Sequence, residues 1–136
     1  MPATVPATVP ATMSAMDGPM DEECCEVVVT AADADWLAGL TRDLVERRLA
    51  ACGHQSAAMI RSVYRWEGAV HDEPEARVAL HTRRALVPAI VEFVTAVHPY
   101  DVPCVIALPL VDGAPAYLAW VRAETHPIPT RPGETG

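Results

Sequence analysis

The chain has 136 residues, 51% of them hydrophobic, which suits a single globular domain with its own core. No apolar run reaches the roughly 20 residues that cross a bilayer, and no basic stretch leads into an apolar one at the start, so a soluble, cytoplasmic protein is expected, with no membrane partner. The net charge of −8, with arginine supplying all the Lys+Arg total of 10, sets the surface against phosphate backbones and argues against nucleic acid as a main partner.

Residues 1–24 open on a decaying Pro-Ala-Thr-Val repeat and then turn acidic, which predicts a disordered, low-complexity leader. Val27, Val28, Val29 and Thr30 form a β-branched run and predict a strand from Glu26 to Ala32. Asp33 is placed to cap a helix running to about Cys52, with Leu37, Leu40, Leu44, Val45 and Leu49 as its apolar stripe and Gly53 ending it. Met59 to Trp66 alternates as a strand, Glu67-Gly68 turns, and Val70 to Thr82 returns as a second long strand. In that return, Ala76, Val78 and Leu80 face one way and Arg77, Ala79 and His81 the other, while Pro74 marks a bulge or an edge.

A second helix is expected from about Val87, with Pro88 in its first turn and Leu86, Ile90, Phe93, Val94 and Val97 as its buried face. Pro99 stops it after His98. The apolar run Val102 to Val111 predicts a strand buried on both faces, at the centre of the sheet. Pro115 opens a last short helix carrying Tyr117, Leu118, Trp120 and Val121, and residues 126–136 read as a flexible tail. Of the cysteines, Cys52 and Cys104 are expected to be buried and Cys24 and Cys25 accessible, all as reduced thiols.

The order strand, helix, strand, strand, helix, strand, helix is an α+β, ferredoxin-like split β-α-β sandwich with an extra C-terminal helix. Right-handed crossovers place the first two helices on one face of an antiparallel sheet, leaving the other bare. A bare apolar face finds its cover most simply in a closed symmetric oligomer of the chain with itself.

Two segments, Ser62 to Gly68 (Ser-Val-Tyr-Arg-Trp-Glu-Gly) and His98 to Pro103 (His-Pro-Tyr-Asp-Val-Pro), resemble the signature stretches of the CutA divalent-cation tolerance family. Leu44 to Cys52, Thr82-Arg83-Arg84, Leu108 to Gly113 and Tyr117 to Trp120 match in the same order, so the resemblance covers residues 25–125, a single CutA-like domain. The resemblance implies a ferredoxin-like homotrimer with a role in tolerance of divalent metal ions, copper in particular, and no enzymatic reaction. A sheet architecture like that of the PII signalling proteins makes a trimeric effector-binding or signalling scaffold the alternative.

The resemblance also implies copper ligands, and this chain departs from them. Val29 stands where the family has a Cys, and Val97-His98 where it has two His. His81 replaces a Lys, Cys104 a Glu, and Ala114 a helix-capping Asn. His98, His81 and Cys104 are therefore the candidate ligands for copper or another divalent cation, since imidazole and thiolate suit such ions. No other cofactor is expected. Tyr64, Trp66, Glu67, Tyr100 and Trp120 are the residues expected to line a cleft between subunits, where rings with one polar tip are favoured. No Gly-x-Ser-x-Gly elbow, His-Glu-x-x-His pair or phosphate loop occurs in the chain, which makes an enzyme the least supported class.

Overall fold

The computed structural model describes Glu22 to His126. The elements run β1 (Cys24–Ala31), α1 (Ala34–Glu46), β2 (Cys52–Gln55), β3 (Ile60–Trp66), β4 (Ala69–Arg83), α2 (Val87–Val97), β5 (Val105–Pro109) and α3 (Pro115–Glu124). They form a five-stranded antiparallel sheet ordered β2-β4-β1-β5, with β3 pairing the outer half of β4. This is the expected α+β arrangement, with β2 and β3 as two pieces of one interrupted strand along β4. The leader and tail expectations for residues 1–21 and 127–136 fall outside the described residues.

Alternation along β1 and β4 separates the two faces of the sheet. Cys25, Val27, Val29 and Ala31 of β1 join Ala76, Val78 and Leu80 of β4 against Leu37, Leu40 and Leu44 of α1 and Ile90 and Val94 of α2. On the other face, α3 covers one end, where Val121 packs with Cys24 and Ala51. The face expected to be bare is thus half covered within the chain.

Local chemistry explains most boundaries. Asp33 Oδ1 accepts from the backbone N–H groups of Asp35 and Trp36 at 2.9 and 3.0 Å, the capping expected there. Glu67 and Gly68 both take positive φ, at 51° and 80°, as a two-residue turn between twisted strands requires. Pro74 lies in the half of β4 that pairs only with β3, so its missing N–H falls on an open edge.

Several expectations are corrected. Helix α1 ends at Glu46 rather than near Cys52. Arg48 takes the left-handed conformation (φ 60°), not Gly53, and its guanidinium donates to the carbonyls of Ala123 and Glu124 at the end of α3. Gly53 sits in β2, facing Thr41, Val78 and Leu80.

Strand β5 is an edge strand, paired with β1 alone, and the centre belongs to β1 and β4. Its Ile106 and Leu108 are exposed, because among the described residues nothing lies beyond them. Val97 of α2 is exposed as well.

The cysteine burial is reversed. Cys24 and Cys25 are buried at the start of β1, Cys52 is half-buried and Cys104 is exposed. Burial, with the neighbouring Cys24 next in effect, pushes the Cys25 thiol up to about 11, and burial also raises Cys24. Both are therefore inert thiols at neutral pH. The strand begins at Cys24, so the last residue assigned to the leader already belongs to the fold.

Candidate functional site

The richest polar constellation lies on the half-covered face, beneath α3. Register sets it up: Cys52 of β2 is opposite His81 of β4, and His81 is opposite Glu26 of β1. A thiol, an imidazole and a carboxylate thereby line up across three strands. His54, two residues beyond Cys52, projects from the same face, and its ring meets that of His81 edge-on at 5.3 Å. Tyr117 reaches down from the first turn of α3.

The hydrogen bonds fix the chemistry of His81. Its Nε2 lies 3.0 Å from Glu26 Oε1, so Nε2–H donates to the carboxylate. Nδ1 is then left as the lone-pair nitrogen and accepts from the Tyr117 hydroxyl. The same hydroxyl lies 3.2 Å from Cys52 Sγ, and Sγ is 3.9 Å from His81 Nδ1. Burial, followed by the bond to Cys52, pushes the Tyr117 phenol far above its ordinary value, so it stays a donor. The ligand atoms of Cys52, His54 and His81 lie within 4.8 Å of one another.

A second feature lies toward the far end of β1, where an open groove of about 720 Å³ is bounded by Thr30, Tyr64, Trp66, Glu75, Tyr100 and Cys104, among others. Tyr100 donates to Glu75 Oε2 at 2.9 Å and Tyr64 to Glu73 Oε2 at 2.9 Å. Burial and the Glu75 carboxylate push the Tyr100 phenol up to about 12. Three of the residues expected in a cleft, Tyr64, Trp66 and Tyr100, are brought together here. Glu67 instead forms the turn between β3 and β4, and Trp120 packs beside Tyr117 on α3.

The three expected metal ligands are not brought together. His98 Nε2–H donates to the Thr30 carbonyl at 2.8 Å, and Nδ1 accepts from the Tyr100 N–H at 3.0 Å. Both ring nitrogens are engaged with backbone groups and the residue is buried, so His98 pins the end of α2 to β1, and its lone pair is held by a main-chain N–H that cannot swing aside for an ion as a side chain can. Thr30 is four positions along β1 from Glu26, the partner of His81, roughly 13 Å by strand rise. Cys104 lines the groove, at the Thr30 end. Val29, at the implied cysteine position, is fully buried in the core.

A family model described as the CutA1 divalent ion tolerance protein matches residues 25–124. The chain belongs to the CutA1 divalent ion tolerance family. It is 44% identical over 89 residues to Protein CutA of Mus musculus, covering 65% of this chain and 50% of the relative. It is 36% identical over 99 residues to the divalent-cation tolerance protein CutA of Thermus thermophilus, covering 73% of this chain and 95% of that protein. Among solved structures, CutA1 from Oryza sativa superposes with a TM-score of 0.74 at 36% identity, covering 79% of this chain and 98% of that one. The chain thus spans about half the length of the mammalian CutA relatives and nearly all of the bacterial one.

Among the sequence-based candidates only His81 falls in the polar constellation. Cys52, His54, Tyr117 and Glu26 escape a reading that carries α1 through to Cys52. The signal that finds them is Cys52-Gly53-His54 itself: on a helix those two side chains diverge, on a strand they share a face.

Proposed function

We propose that this CutA1-family protein acts in the response to divalent metal ions, as a non-enzymatic, cytoplasmic homotrimer that binds copper or a similar divalent cation. One observation carries the reading: the family match runs over residues 25–124, nearly all of the described fold. Among the described residues no helix is long and apolar enough to cross a membrane.

The open surfaces support self-association. Strand β5 pairs on one side only and exposes Ile106 and Leu108, while the β3–β4 hairpin exposes Val63 and Val70. An unpaired apolar edge of this kind invites pairing with another chain, and a closed ring removes it.

Two measurements test the proposal. In sedimentation of the full chain, a single species of three chain masses is expected, and a stably folded lone chain overturns the assembly. In cells lacking the protein, growth in elevated copper is expected to fall and to recover on re-expression. Unchanged growth across copper, zinc and cobalt overturns the role.

A further inference from the structure

We propose that Cys52, His54 and His81 form a mononuclear site for a borderline-soft divalent cation of the zinc class, on the sheet face beneath α3. The proposal rests on the divalent-cation reading above and gives it a location other than the ligand positions that the family resemblance implies.

The donor set is one thiol and two imidazoles, the soft-to-borderline mixture that zinc-class ions prefer over carboxylate-loving calcium or magnesium. The backbone already aligns it. Cys52 and His81 are direct cross-strand partners, and His54 follows Cys52 on the same face. Their ligand atoms lie within 4.8 Å of one another, with Sγ and Nδ1 at 3.9 Å. A tetrahedral ion with bonds of about 2.3 Å to sulfur and 2.0 Å to nitrogen needs ligand atoms roughly 3.5 Å apart. Closure thus takes about 1 Å of side-chain movement, and the exposed His54 ring is free to supply it.

Glu26 makes His81 ready. By accepting the Nε2–H it fixes the tautomer with the lone pair on Nδ1, the nitrogen nearest Cys52. A carboxylate behind a ligating imidazole is the recurring support of histidine metal sites. The Tyr117 hydroxyl, in contact with both Nδ1 and Sγ, occupies the space between the two donors. It gives up that place to the ion, and water entering from the exposed His54 side fills the fourth position.

The test uses the full chain, stripped with chelator, titrated with Zn²⁺ by calorimetry and loaded with Co²⁺ for spectroscopy. One ion per chain is expected, with a near-ultraviolet thiolate-to-cobalt band. Cys52→Ser removes the band and the tight binding. His54→Ala, at an exposed position, keeps the wild-type unfolding midpoint but weakens Zn²⁺ by about tenfold or more, and Glu26→Ala weakens it by roughly 10–100-fold. Cys104→Ser, in the groove, and His71→Ala, which stacks on Tyr64 in the β3–β4 hairpin, leave binding unchanged. Saturable binding that survives both Cys52→Ser and His54→Ala overturns this site but leaves the cation reading standing. No saturable Zn²⁺ or Co²⁺ binding overturns the site, while the growth test decides the cellular role separately.

Discussion

Strand β4 is one continuous strand with two unlike halves. From Ala76 to Arg83 it is flanked by β1 and β2, and Ala76, Val78, Leu80, Thr82 and Arg83 are almost wholly buried. From Ala69 to Glu75 its partner among the described residues is β3, and Val70 is 63% exposed, as is Val63 of β3. Both halves carry apolar residues. What differs is the source of their cover: in the inner half the described residues supply it, and in the outer half they do not. Stability of the single chain should therefore reside in the inner half, and assembly in the outer one.

The sharpest way to break that contrast is a matched pair of truncations. Leu80→Ala removes a fully buried side chain packed beneath α1, and a loss of about 2–5 kcal/mol is expected, independent of protein concentration. Val70→Ala should cost less than about 1 kcal/mol, and on the proposed assembly the loss should shrink as the protein is diluted and the chains separate, since the cover would come from another chain. Denaturant unfolding at two protein concentrations measures both. Equal, concentration-independent losses would show that the two halves are covered alike.

A smaller effect is expected where β2 meets the inner half. Gly53 has room for no more than hydrogen: a Cβ there would collide with Thr41 Cγ2 and lie 3.0 Å from Leu80 Cδ2. Gly53→Ala should therefore destabilise by about 1–3 kcal/mol through overpacking, with no backbone strain added, because this glycine does not hold a positive φ. A thermal shift to lower temperature is expected. An unchanged midpoint would mean that α1 and β2 are less tightly apposed than the geometry shows.

The two halves also explain what could be read from the chain without its coordinates. Alternation assigned Ala76, Val78 and Leu80 to one face and His81 to the other, because a half-buried strand writes its faces into every second residue. The same logic fails at β5. Its run is apolar because it needs cover, but hydrophobicity does not say whether that cover comes from the same chain, so an edge strand reads as a central one. Strand β2 was missed for another reason. Leu49 and Ala50 extend the helical stripe past Arg48, and only the left-handed turn there, where Arg48 bonds to the end of α3, shows that the helix has already stopped. With β2 invisible, Cys52 and His54 had no common face, and the constellation around His81 stayed hidden. His98 was legible as a helix-ending residue, yet its bond to the Thr30 carbonyl depends on tertiary contact that no local pattern encodes.

The weakest expected effect lies at the junction of the halves, where Tyr100 donates to the buried carboxylate of Glu75. Burial comes first and the carboxylate second in lifting this phenol to about 12, above the ordinary value of 10. The folded chain therefore holds the proton more tightly than the unfolded one. This contribution is fully present below about pH 10, where both states are protonated, and is lost as pH rises through 12. Tyr64, raised chiefly by its bond to Glu73, shifts in the same direction. Tyrosinate absorbance followed through an alkaline titration should show a component near pH 12, distinct from the still higher Tyr117, that Tyr100→Phe removes. If that component persists in the variant, or if the wild type ionises entirely near pH 10, then Tyr100 does not clasp Glu75, and this side chain does not tie the segment after α2 to the junction of the halves.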